Sequence, residues 1–145
     1  MRNQRITKAN NMVSAETTLR VLYAQTDVMG IMNNVRYFEF FEAGRNKLMR
    51  EMGYAYTELE KEGYGLSVVE SYCKYISTAK YDDVVRIKAF MDEVPGVKVK
   101  IHYELFVEER LIAKGYTILG FINLKTIRPT RPPEKFVELV KSHIK

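Results

Sequence analysis

The chain has 145 residues, the length of one ordinary domain. Its hydrophobic share of 46% is too high for a disordered chain, yet no apolar run approaches the roughly 18–20 residues of a membrane helix. The net charge of +5 is spread among interspersed acidic residues with no basic block, which argues against a nucleic-acid partner.

The polar start, MRNQRITKANN, lacks the apolar core of a signal peptide, so the expectation is a cytoplasmic chain without membrane insertion. Residues 1–15 read as a loose leader with room for a short first strand. Residues 17–24, TTLRVLYA, carry β-branched and aromatic types and predict a strand. A break, QTDVMG, follows. Residues 34–52 predict the main helix, because Tyr37, Phe41, Gly44, Leu48 and Met52 recur at helical spacing and Phe40 widens the stripe. Asn33 or Asn34 suits its N-cap and Gly53 its C-cap. Gly44 within the stripe implies close approach of a sheet to the helix backbone. A short helix is expected at 55–62.

After Gly65 the period changes to that of strands. These are expected at 66–78, 84–93, 97–107 and 111–124. In the second, Val85, Ile87, Ala89 and Met91 alternate with Arg86, Lys88 and Phe90. In the third, Val97 through Val107 alternate with Lys98, Lys100, His102 and Glu104. Short links predict one antiparallel meander of these four strands over the helix. A helix at 134–142 closes the chain. One domain over 1–145 is the expected organisation. Cys73, the lone cysteine, makes neither an intrachain disulfide nor a cysteine zinc site and is expected to be a structural thiol.

Several chemistries find no support. There is no G-x-S-x-G elbow and no glycine-rich phosphate loop. The two histidines, His102 and His143, read as ordinary solvated residues, which disfavours a Ser-His-Asp triad. No cluster has metal-ligand spacing, so no metal and no cofactor is expected. What stands out is an acid, Asp27, in a short loop just before the long helix. A carboxylate there can attack a carbonyl or support an attack on it, and the unpaired N–H groups of the helix start can hold the resulting oxyanion. The same placement also suits a plain turn or cap residue.

The stretch D-V-M-G-I-M-N-N-V-R-Y-F-E-F-F-E-A-G-R, residues 27–45, resembles the signature of the 4-hydroxybenzoyl-CoA thioesterase-like hotdog family, including its Tol-Pal-associated branch. The matching positions are Asp27, Gly30, Asn33-Asn34, Tyr37, Phe41, Glu42 and Arg45. Tyr81-Asp82-Asp83 and Arg128-Pro129 extend the likeness. The resemblance implies an α+β hotdog fold, a long helix wrapped by a curved antiparallel sheet. It implies hydrolysis of an acyl-CoA or related thioester at sites shared between subunits of a dimer, with tetramers common. Asp27 would be the catalytic acid, and amides near Asn34 and Val35 the oxyanion donors. Tyr23, which matches a tyrosine of the Tol-Pal-associated branch, and Asn34 would join Asp27 as catalytic residues, and Tyr37 and Gly30 would help position substrate. That branch usually has His where this chain has Asn34, which can position a water or carbonyl but does not titrate. Lys80, Arg128 and Arg131, expected in loops, are candidates for the coenzyme A phosphates. A non-catalytic acyl-CoA-binding module or a hotdog dehydratase are the alternatives; the latter needs a histidine that the motif does not supply.

Overall fold

In the computed structural model, which describes residues 12–144, the alternating segments pair into one six-stranded antiparallel sheet. Its strands are β1 (Val13–Arg20), β2 (Tyr64–Tyr75), β3 (Val84–Met91), β4 (Lys98–Val107), β5 (Arg110–Asn123) and β6 (Arg128–Thr130). Their order is β1-β3-β4-β5-β2, with β6 also paired to β5. The helices are α1 (Tyr37–Glu51), α2 (Tyr56–Lys61) and α3 (Glu134–Lys141). A long helix against an antiparallel sheet is the hotdog arrangement that the resemblance implied.

The four-strand meander is corrected. Only β3, β4 and β5 follow one another as neighbours; β2 lies beyond β5 at the far edge, and β1 takes the place beside β3. The link at 76–83 is longer than a hairpin loop of about 2–5 residues, so it joins non-adjacent strands. The first strand runs from Val13 to Arg20 rather than over 17–24. After Arg20 the chain leaves the sheet: Val21 is buried, and Tyr23–Gln25 form a 3-10 turn. The rest of the expected leader, residues 1–11, lies outside the described residues. Val97, expected to face inward with β4, is exposed and precedes that strand.

Periodicity explains the core. The helix buries Tyr37, Phe40, Phe41, Gly44, Leu48 and Met49. Each fully buried large side chain contributes about 1.5–3 kcal/mol by leaving water. A Cβ at Gly44 would stand 2.7 Å from Ile87 Cγ2 and 3.3 Å from the Ala89 methyl, so glycine lets the helix settle onto β3. The Phe41 ring stacks on Tyr103 at 4.4 Å and 6°. The buried Tyr103 hydroxyl is satisfied by the Thr117 hydroxyl (2.7 Å) and by an Arg45 N–H (3.2 Å).

The opposite sheet face is open. There Arg86 covers Phe106 and Lys100 covers Tyr116, each cation within 4.4 Å of a ring centroid. His102 belongs to this face. It is half-buried rather than freely solvated, stacks on Phe90, and has Nε2 3.4 Å from Asp92. Strands β1 and β2 are the two edges of the sheet, and β2 exposes Val68, Val69, Tyr72 and Tyr75. A long apolar edge strand is a ready template for another strand.

Candidate active site

The Asp27 loop is a tight hairpin closed by its own backbone. Thr26 bridges Met32, the Asp27 N–H donates to the Ile31 carbonyl (2.9 Å), and the Gly30 N–H donates to the Asp27 carbonyl (3.0 Å). Gly30 has φ +77°, a left-handed conformation that favours glycine at the end of this turn. The Asp27 carboxylate contributes too: Oδ1 accepts the Met29 N–H at 2.8 Å. This is an Asx turn, and it holds the side chain in one direction. Among the described residues Oδ2 has no protein partner. The loop tip, Val28 and Met29, is exposed and apolar.

Two further bonds hold this loop, one to the 76–83 link and one across its own base. The Met32 N–H donates to Ala79 and the Asn33 N–H to Gln25, both at 2.8 Å. The helix then begins with a 3-10 turn, Asn34–Arg36, before α1 proper. Asn33 is its N-cap: Oδ1 accepts the Val35 N–H at 3.1 Å. That settles which asparagine caps the helix. It also separates the two amides expected as oxyanion donors, because Val35 is engaged by Asn33 while the Asn34 N–H has no partner among the described residues. The Asn34 side chain is exposed and makes no hydrogen bond there. At the far end of the helix the C-cap is Met52 rather than Gly53; Gly53 follows it at φ +85°, the left-handed residue that ends the helix.

The other site candidates separate in space. Lys80 bridges Ile31, so it borders the Asp27 loop, and its own N–H donates to Asp83. Tyr23 is three-quarters exposed, with its ring edge-on to Tyr81 at 5.6 Å; no hydrogen bond joins its phenol to Asp27. Tyr37 is buried, and burial raises its phenol above the usual tyrosine range. Arg128 does not lie in a loop: it belongs to β6, paired with Asn123, which in turn pairs with Tyr64. Arg131 is exposed between β6 and α3. Within one chain both arginines are at the Tyr64 end of β2, roughly 30–35 Å from its Tyr75 end at ~3.3 Å per residue.

A residue that sequence reasoning did not single out completes the arrangement. Tyr75, on β2, donates its hydroxyl to the Asn34 carbonyl at 2.8 Å and stands edge-on to the Tyr37 ring at 4.9 Å. Cys73 lies two residues earlier on the same strand. Burial pushes its thiol up to about 11, so it is uncharged near neutrality. Alkylation by iodoacetamide should therefore rise only as pH approaches 11. An inflection near the ordinary thiol value of about 8.5 would contradict this burial. Among the described residues no group of His, Cys, Asp and Glu side chains is placed to hold a metal ion, and no helix is long and apolar enough to cross a membrane.

The class follows from the hotdog scaffold and the relatives it matches. Residues 21–140 match the thioesterase-like superfamily, and the chain belongs to it. Its class is that of thioester hydrolases. Among its relatives, a protein of Aquifex aeolicus named as a candidate esterase is 30% identical over 68% of this chain and 77% of its own length. The acyl-CoA thioesterase YbgC of Haemophilus influenzae is 26% identical over 88% of this chain and 93% of its own. A DHNA-CoA thioesterase of Staphylococcus aureus superposes with a TM-score of 0.84 at 26% identity, covering 89% of each chain.

Proposed function

We propose that this protein hydrolyses acyl-CoA thioesters, with Asp27 as the reacting carboxylate and the Asn34 N–H as an oxyanion donor. The observation that carries the reading is a turn-locked carboxylate seven residues before an amide at the start of a helix that has no partner among the described residues. As the thioester carbonyl becomes tetrahedral, negative charge grows on its oxygen, and an N–H aimed there with the helix dipole behind it lowers the barrier. The free Oδ2 has two routes. It attacks the carbonyl carbon and expels the coenzyme A thiolate, leaving an anhydride that water cleaves. Alternatively it takes a proton from water as that water attacks the same carbon, and the tetrahedral adduct then expels the coenzyme A thiolate to give the free acid. Single turnover in oxygen-18 water separates them, since only hydrolysis of the anhydride at the Asp27 carbon places label in Asp27.

The names of the relatives support a coenzyme A thioester as substrate. The experiment is thiol release from acyl-CoAs of C2 to C16, benzoyl-CoA and phenylacetyl-CoA. Turnover of one or more upholds the reading, and silence across the panel by folded protein overturns it.

The active unit is a dimer, with a tetramer as its further assembly. The free β2 edge exposes Val68, Val69, Tyr72, Tyr75 and Ile76, the strand type that pairs with a second copy. Antiparallel pairing of two β2 edges sets the Tyr64 end of one beside the Tyr75 end of the other. Arg128 and Arg131 of one subunit then approach Asp27 and Lys80 of the next, where coenzyme A phosphates would lie. Sedimentation should give a mass of at least twice the 16.9 kDa chain. Val69→Lys should shift the protein toward monomer and abolish turnover, whereas a fully active wild-type monomer would sink the shared site.

A further inference from the structure

We infer that Tyr75 is a positioning residue of the oxyanion turn: its hydroxyl fixes the Asn34 carbonyl and so aims the Asn34 N–H. The inference rests on the thioesterase reading above and extends it to a residue 41 positions away in sequence.

The turn needs an external hold. A 3-10 turn has poor hydrogen-bond geometry, and helix starts fray. Inside this one, the Val35 N–H is taken by Asn33 Oδ1, and the Arg36 N–H by the Asn33 carbonyl at 3.0 Å. Both bonds fix Asn33 more than Asn34, which is exposed and has no side-chain partner among the described residues. The Asn34 carbonyl accepts the Tyr37 N–H from within the helix. Its second acceptor position is filled from the sheet by Tyr75 at 2.8 Å. Tyr75 is the one sheet side chain hydrogen-bonded to this turn among the described residues.

Tyr75 is itself held. Its ring meets the buried Tyr37 edge-on, at 4.9 Å and 89°. The strand beneath it pairs Tyr75 with Ala113 of β5. A rigid support therefore reaches from β5 through β2 to the carbonyl of the residue whose N–H is free. Since β2 is also an edge strand of the sheet, strand pairing between two copies would brace the same support.

Geometry of this kind acts on rate. Misplacing a reacting group by about 1 Å can cost on the order of 100-fold. A donor retained but loosened should lose less, so Tyr75→Phe is expected to lower kcat about 10-fold. KM should stay within about twofold, because the amide acts on charge that develops only in the transition state. Tyr75→Phe keeps the ring on Tyr37 and removes only the hydroxyl, so a purely structural role would move the melting temperature and leave kcat alone.

The test is steady-state thiol release by wild type and Tyr75→Phe, with backbone NMR order parameters for residues 33–36 in both. A fall in kcat at steady KM, with order parameters dropping from about 0.85 toward 0.6, upholds the inference. Unchanged kcat with an active wild type overturns it and leaves the thioesterase reading standing. If wild type itself cleaves no thioester, that reading falls, and the order parameters alone decide whether Tyr75 holds the turn: no change overturns this too.

Discussion

Asp27→Asn is expected to lower thiol release by about 100- to 10,000-fold, the range for loss of a positioned acid–base group. The melting temperature should stay within about 2 °C of wild type. Both expectations come from one bond. Oδ1 of Asp27 accepts the Met29 N–H at 2.8 Å and closes the turn. An asparagine carbonyl oxygen accepts the same N–H, so the Asx turn survives. What is lost is the second carboxylate oxygen, which has no partner among the described residues and is the atom free to attack or to take a proton. An amide nitrogen does neither. Asp27→Ala removes the turn bond as well and should both silence the protein and loosen residues 27–31. Turnover by Asp27→Asn at the wild-type rate would remove Asp27 from the chemistry and leave it as a turn residue.

The candidate site was legible because its parts are nearly contiguous. Asp27, Gly30, Asn33 and Asn34 fall within one short stretch, and local rules for turns and caps act over such distances. The helix and strands β3 and β4 were legible for a related reason: each has one buried face, so its period survives in the sequence. Neighbourhood is different. Nothing in the alternation of β2 says which strand it pairs with, and as an edge strand it exposes residues from Val68 to Tyr72, which blurs the alternation itself. The length of the 76–83 link was the available signal against a hairpin. Strand β6 was missed because it has three residues, includes Pro129, and is reached through Ile127 at φ +58°, a conformation that sequence seldom marks on a β-branched residue. Tyr75 was missed because its role depends on β2 passing the helix start, a fact of topology.

Gly115→Ala is expected to destabilise the fold by about 3 kcal/mol or more, the upper range for overpacking a filled site. The reason is unusually direct. A Cβ built at Gly115 would stand 2.0 Å from the Tyr72 carbonyl oxygen and 3.0 Å from two carbons of the Phe41 ring. The first is backbone and has no rotamer to escape into. The second belongs to a ring already stacked on Tyr103 beneath α1. Relief therefore requires β2 to move away from β5, and Gly115 pairs there with Cys73, two residues before Tyr75. Any molecule that still folds should show the Asn34–Arg36 turn disturbed, with kcat lowered as in Tyr75→Phe. Gly120, on the same strand, supplies the control: a Cβ there meets nothing within 4 Å, so Gly120→Ala should be neutral or should stabilise by up to about 1 kcal/mol. Urea unfolding of the two variants measures the difference. Equal midpoints would mean that β2 and β5 are not held as closely as described, and the support from β5 through Tyr75 to Asn34 would lose its foundation.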